Sequence, residues 1–167
     1  ARLPSPSGSG AGGAGNGPGR SAESGRRTAD GFLITPTGLP YDKTLPADLA
    51  FMPFRAKDEH DCVGHRLPSS EWRFHRDIYA ARPEVGAIVH THGVHATTLA
   101  CLGRGIPAFH YMVAVAGGTD IRCAPYATFG TDELGQHVAE GLKERDACLM
   151  ASHGQIAIGE TLASALE

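Results

Sequence analysis

Three short stretches carry side chains that could do chemistry together. "LPSSEWRFH" (67–75) puts Glu71 at the start of a helical pattern, directly after Ser69 and Ser70. "GAIVHTH" (86–92) ends a strand-like run with His90 and His92, and "ASHGQ" (151–155) sets His153 before Gly154 between two apolar runs. A strand repeats every two residues, so His90 and His92 project from one face, where two imidazoles can share a metal ion. With His153 they would give three nitrogen donors, and three donors plus an exchangeable position is the usual plan of a catalytic zinc site. Exposed or hydrogen-bonded histidines are the plainer reading of the pair. His95 lies past Gly93, where the chain turns into a helix, and is not counted as a ligand. Glu71 is the candidate fourth ligand, one that substrate displaces and that then acts as a base. A carboxylate near a first helical turn is also favoured simply by the helix dipole.

Four residues could hold an anion. Ser69 and Ser70 offer hydroxyls and free amides at a helix N-terminus, a ready site for a phosphate group, or they are plain caps. In "PTGLP" (36–40), Thr37 and Gly38 could supply a hydroxyl and an unobstructed amide, or form an ordinary turn. Tyr111 in "FHYM" sits in an apolar run, where a packed ring with a satisfied hydroxyl is the common case. It could also donate a proton to an alkoxide.

These residues need elements to position them. "GFLITP" (31–36) reads as a strand stopped by proline, and "DLAFMPF" (48–54) as a weaker one. A helix capped by Ser69 or Ser70 runs to Ala81, with Trp72, Ile78 and Tyr79 among its apolar positions, and Arg82-Pro83 ends it. A strand over 86–92 and a helix over 95–103 follow, the latter closed by Gly103. "DIRCAPY" (120–126) is a further strand. Residues 131–146 form an amphipathic helix with Leu134, Val138 and Leu142 on one stripe, acids early and bases late. Strands at 147–152 and 155–160 flank His153, and a last helix starts at "TLASALE". Strands and helices mix without strict βαβ alternation, which predicts a layered α/β domain with a mixed or antiparallel sheet.

The totals set bounds. The chain has 167 residues, which favours one domain with a real core, and a net charge of −3. That balance argues against nucleic-acid binding by phosphate neutralisation. No apolar run approaches the ~18 residues of a membrane helix. The four cysteines form no CxxC pair and read as reduced, mostly core thiols of a cytoplasmic protein. Residues 1–30 are rich in Gly, Ser, Pro and Arg and read as a flexible or aberrant segment, with the folded domain over 31–167.

"PSSEWRFH", "VHTHGVH", "IPAFHYM", "AGGTDIRCAPYATFGT" and "SHGQIAIGE" together resemble the class II aldolase/adducin-head family over roughly residues 31–167. The resemblance implies a three-layer α/β/α fold around a largely antiparallel central sheet. It implies zinc held by His90, His92 and His153, with Glu71 as exchangeable ligand and catalytic acid/base. Manganese or cobalt would suit the same donors. Substrate phosphate would be held by Ser69, Ser70, Thr37 and Gly38, and by Asn16 if "GGAGNGPGR" corresponds to the family's Asn-containing loop. Tyr111 would serve the aldehyde end across a subunit boundary in a homotetramer, and Phe129 would line the pocket. The activity implied is a lyase cleaving a ketose 1-phosphate of the L-fuculose 1-phosphate type to dihydroxyacetone phosphate and an aldehyde. Sister activities share the motifs: a pentulose-phosphate 4-epimerase, or an aldolase or dehydratase on methylthio- or deoxy-pentulose phosphates. A non-catalytic adducin-head module would lack the ligands. Against the family pattern, the opening lacks a leading helix and the end lacks a following one, so an altered N-terminus and a truncated C-terminus are expected.

Overall fold

The computed structural model describes residues 30–167. Its first unit is a small antiparallel pair, β1 (Gly31–Ile34) and β2 (Ala50–Pro53), in the register Phe32↔Met52 and Ile34↔Ala50. Alternation does the work here: Phe32 and Met52 are fully buried. The Phe32 ring lies 5.3 Å from that of Tyr79, so the pair packs on the first helix, α1 (Trp72–Ala81). Both strands are shorter than the apolar runs suggested: β1 ends ahead of Pro36, and β2 begins only after a 3-10 turn over Pro46–Asp48.

Among the described residues the central sheet has four strands in the order β3 (Ala87–Thr91), β6 (Gly154–Gly159), β5 (Ala147–Met150), β4 (Arg122–Ala124). The β3–β6 and β6–β5 pairings are antiparallel and β5–β4 is parallel. The sheet is therefore mixed, antiparallel in two of its three pairings. Ile156, Ile158, Cys148 and Met150 on one face are buried against α1 and α3 (Asp132–Gly141), sharing a core with Trp72, Phe74, Ile78, Leu134, Val138 and Leu142. The opposite face carries α4 (Leu162–Leu166) and a 3-10 helix, Tyr111–Ala116. Between them Val89, Leu149 and Ala157 line a cleft of about 360 Å3 together with Met112, Val115 and Leu166. α2 (Val94–Cys101) packs on β5 and β6. The result is the α/β/α layering.

Three details depart from the sequence reading. Neither Ser69 nor Ser70 is the cap of α1: Glu71 occupies that position, and the Ser69 hydroxyl accepts from the Glu71 amide at 3.3 Å. α3 stops at Gly141, so Lys143 and Arg145 fall beyond the helix. The cause lies partly outside the segment: Arg82, at the end of α1, donates to the Leu142 and Arg145 carbonyls, and Glu144 adopts φ 57° in a tight return to β5. All four cysteines are free, but only Cys148 is a core thiol. Burial raises its pKa to about 12. Cys101 closes α2 at the surface, and Cys62 and Cys123 are half-buried.

Because α1 holds the core through its buried stripe, truncating Ile78 to Ala should cost about 2–5 kcal/mol by cavity formation. Leu102→Ala, at an exposed site, should change stability by less than ~0.5 kcal/mol. Urea unfolding of both variants, read at constant m-value, checks this contrast.

Candidate metal centre

Glu71, His90, His92 and His153 each offer one ligand atom, and these four atoms lie within 4.8 Å of one another. The elements explain the convergence. β3 and β6 are paired so that His90 sits opposite Ile156. The β5–β6 turn that ends at His153 therefore comes up beside the end of β3. α1 lies on the same sheet face, with Phe74 edge-on to the His90 ring at 5.4 Å. Its first turn delivers Glu71 to the same point. The three imidazole centroids form a near-equilateral triangle of 4.7, 5.0 and 5.1 Å.

Each donor atom is aimed inward. His90 Nδ1 lies 2.8 Å from the Gln155 carbonyl, which can only accept, so this nitrogen carries the proton. In neutral His90 that leaves an Nε2 lone pair facing the other three groups, the arrangement in which a backbone carbonyl orients a metal-bound histidine. His90 Nε2 is 2.9 Å from His92 Nε2 and 3.2 Å from Glu71 Oε2, and His153 Nε2 is 2.7 Å from Glu71 Oε1. The side chains of His90, His153 and Glu71 are 8%, 12% and 16% exposed, respectively. His92, the fourth member, is exposed, and lone pairs crowded this closely need a shared cation or shared protons. The donor set of three imidazoles and one carboxylate fits a divalent ion such as zinc.

Electrostatics favour the charged form of Glu71 in this arrangement. Burial opposes its ionisation, but contacts with His153 and His90 outweigh burial and hold the carboxyl well below the usual carboxylate range. The carboxylate makes no capping bond to α1, so the capping role available to such a residue is not the one its side chain takes. Desolvation, then the neighbouring His90 and His153, push His92 down, so it stays neutral to lower pH. His75, one turn along α1 and stacked on Phe74 at 4.8 Å, is driven to about 3, chiefly by desolvation.

Two further contributions were not legible in the motifs. Gly154 follows His153, and a Cβ there would sit 2.6 Å from His92 Cδ2 and 2.7 Å from the Thr91 carbonyl. Only glycine lets the His92 ring fold back against β6. Ser152, before His153, holds φ 56°, an uncommon left-handed conformation for a non-glycine residue. A His-Gly pair after a strand hints at a turn, but nothing in the text marks it as a close approach.

The anion-binding candidates gather at the same end of α1. Thr37 N donates to Leu67 O at 3.1 Å and Ser69 N to Thr35 O at 2.9 Å, so the turn bearing Thr37 and Gly38 is tied beside Ser69 and Ser70. Gly38 has φ +70° and open space around it. Upstream, Asp48 anchors the loop leading into these serines. Its carboxyl accepts from Arg66 and from the Leu45 amide and is held at about 2. The turn carrying Phe129 also arrives here, since Gly130 lies against the Ser70 carbonyl, and Phe129 is 62% exposed. Tyr111 does not join the group within one chain. It is 78% exposed on the 3-10 helix that covers the opposite sheet face. Asn16 lies outside the described residues.

Comparison with known proteins places this arrangement in a family. The Class II Aldolase and Adducin N-terminal domain family matches residues 11–167. A 5-methylthioribulose-1-phosphate/5-deoxyribulose-1-phosphate aldolase of Rhodospirillum rubrum is 56% identical over 141 residues, 84% of this chain and 62% of that protein. The L-fuculose phosphate aldolase of Escherichia coli strain K12 is 52% identical over 140 residues, 84% and 63% of the two chains. A solved L-fuculose 1-phosphate aldolase superposes with a TM-score of 0.74 at 42% identity, covering 80% of this chain and 61% of that one. The chain thus spans somewhat under two thirds of the length of the relatives it matches.

Zinc added at ~100 times its Kd should stabilise the protein by ~2.7 kcal/mol. Gly154→Ala should weaken zinc affinity by about 10- to 100-fold. Affinity should fall on acidification, because protons compete for the ring nitrogens, with His92 the ring that resists protonation to lower pH. Thermal scans and metal titrations at several pH values check all three.

Proposed function

The chain belongs to the class II aldolase and adducin N-terminal domain family, and we propose on that basis that it is a zinc-dependent lyase. It cleaves a ketose 1-phosphate to dihydroxyacetone phosphate and an aldehyde. The observation carrying this reading is the inward-facing set of Glu71, His90, His92 and His153, beside a helix mouth lined with small hydroxyl residues. A non-catalytic adducin-head module would have no use for these four ligands. When bound, the metal ion supplies Lewis-acid stabilisation of the negative charge that C–C cleavage leaves on the three-carbon product.

This chain's own residues do the rest. Ser69, Ser70, Thr37 and Gly38, with Asn16, hold the phosphate far from the breaking bond and so fix where the sugar carbons lie. Tyr111, supplied by a neighbouring chain of a homotetramer, takes the proton from the hydroxyl on C4 as the C3–C4 bond breaks. Glu71, once substrate has changed its contacts and it has taken up a proton from solvent, gives that proton to the three-carbon fragment at C3. It is suited to that duty because its charge is set by two imidazoles, so a change in its contacts changes its basicity. Phe129 lines the aldehyde side. The lysines are not needed as Schiff-base nucleophiles, and Lys143 sits on the surface paired with Glu140. The enzyme works in the cytoplasm, with residues 31–167 as its aldolase-like domain.

The aldehyde half has two readings. L-fuculose 1-phosphate is favoured by the "IPAFHYM" and "APYATFGT" stretches and by the E. coli relative. The 56% identity to the R. rubrum protein favours a 5-methylthio- or 5-deoxy-ribulose 1-phosphate. The phosphorylated product is the same for both.

Incubation with each ketose 1-phosphate should release dihydroxyacetone phosphate, which a coupled reductase assay reads directly. Chelator should abolish release and zinc restore it. Glu71→Gln should lower kcat by about 100-fold or more, as loss of an acid–base group does. A 4-epimerase would convert the sugar without releasing any three-carbon phosphate, and that outcome overturns the proposal.

A further inference from the structure

The segment bearing Tyr111 is held in an unusual way. Residues 106–121 leave and rejoin the sheet at one point, where Ile106 and Ile121 exchange two backbone hydrogen bonds of 2.8 and 2.9 Å. Inside this loop the His110 Nδ1 accepts from the Met112 amide at 3.2 Å and caps the 3-10 helix, with its ring 4.5 Å from that of Tyr111. The apolar side chains mostly face outward: Phe109, Tyr111, Met112 and Val115 are exposed, and only Val113 and Ala116 of the helix are buried. Hydrophobic burial alone therefore gives the loop little reason to keep one shape.

Arg145 supplies what burial does not. Its Nη2 and Nε donate to Asp120 Oδ1 at 2.7 and 3.0 Å, and Nε also reaches the Asp120 carbonyl at 3.2 Å. Nη1 donates to the Glu144 carbonyl at 2.8 Å, and the side chain is only 14% exposed. The guanidinium lies flat on Gly118, where a Cβ would come within 2.2 Å of Cζ. The adjacent Asp146 amide donates to the Ala116 carbonyl at 2.8 Å, gripping the last turn of the 3-10 helix. From the other side Arg82, the residue that ends α1, donates to the carbonyls of Leu142 and Arg145 and to the Asp146 carboxylate. A continuous run of charge-assisted bonds thus joins the helix that begins at Glu71 to the loop that carries Tyr111.

We propose that Arg145, through its two-donor hold on one Asp120 carboxylate oxygen across Gly118, is a positioning residue that sets where Tyr111 is delivered. The inference rests on Tyr111 having the proton-transfer role given above. A planar fork that holds one carboxylate, two carbonyls and a backbone face restricts the loop in a way a lysine could not. Misplacement of a catalytic group by about 1 Å is enough to lose up to ~100-fold in rate.

The test is a double-mutant cycle in the full chain loaded with zinc. Arg145→Ala should lower kcat for dihydroxyacetone phosphate release by about 10- to 100-fold, with zinc content retained and KM little changed. Tyr111→Phe should lower it at least as far, and the double variant should be no slower than Tyr111→Phe alone. Effects that multiply, or an unchanged kcat in Arg145→Ala, overturn the proposal. Should Arg145→Ala lose zinc or fold poorly, Asp120→Asn at the half-exposed end of the pair carries the same cycle. Hydrogen exchange separates the two layers of the argument. Residues 109–120 should exchange faster in Arg145→Ala, and unchanged exchange overturns the clamp whatever the activity. Wild type that releases no dihydroxyacetone phosphate defeats the lyase reading, whereas Tyr111→Phe with unchanged kcat leaves that reading standing and overturns this proposal, the clamp then being a structural strut even if exchange in Arg145→Ala is faster.

Discussion

Everything at the candidate centre depends on a partly buried carboxylate that bridges two imidazoles, with the third imidazole, His92, open to solvent. Glu71 contacts His153 at 2.7 Å and His90 at 3.2 Å. Withdrawing a carboxylate from water is unfavourable, and here the compensating contacts win, so the charged form persists. The same balance explains why the centre suits a cation. Three ring nitrogens and an anionic oxygen packed within 4.8 Å repel one another unless positive charge lies between them. The site is stable only in company, either with protons or with a metal.

Sheet geometry and one missing side chain make that crowding possible. The antiparallel register of β3 and β6 fixes the height of His90 relative to the turn that ends at His153. Gly154 then allows the His92 ring to approach closer than any Cβ would permit. The carbonyl of the next residue, Gln155, orients His90 by accepting its Nδ1 proton. Ligand placement is thus a property of one hairpin and its neighbouring strand, with α1 contributing a single atom from its mouth.

Much of this was readable in the residues, for identifiable reasons. The convergence of Glu71, His90, His92 and His153 was legible because strand periodicity and a helix start are local signals, and these are types with few other uses in that combination. The stripe of Leu134, Val138 and Leu142 was legible through its spacing, and all three are buried. Contacts that depend on separate parts of the chain arriving together were opaque. The early end of α3 follows from Arg82, some sixty residues upstream in the chain, taking the carbonyls of Leu142 and Arg145. The location of Tyr111 on the far sheet face follows from loop closure between Ile106 and Ile121, which no local pattern announces. Cys101 looked like a core thiol because cysteine usually is one, and its place at the end of α2 left it exposed.

β3 lies at an end of the sheet, and among the described residues its ladder runs to β6 alone. The strand that bears His90 is therefore held on one side by its ladder and at its end by the contacts of His90 with Glu71 and Gln155. On the reading proposed above, loss of the ion would loosen the end of a strand that, among the described residues, pairs on one side alone, and a border of that kind can recruit foreign strands. The ion would then guard against aggregation besides serving the chemistry, a second duty that arises from sheet order alone.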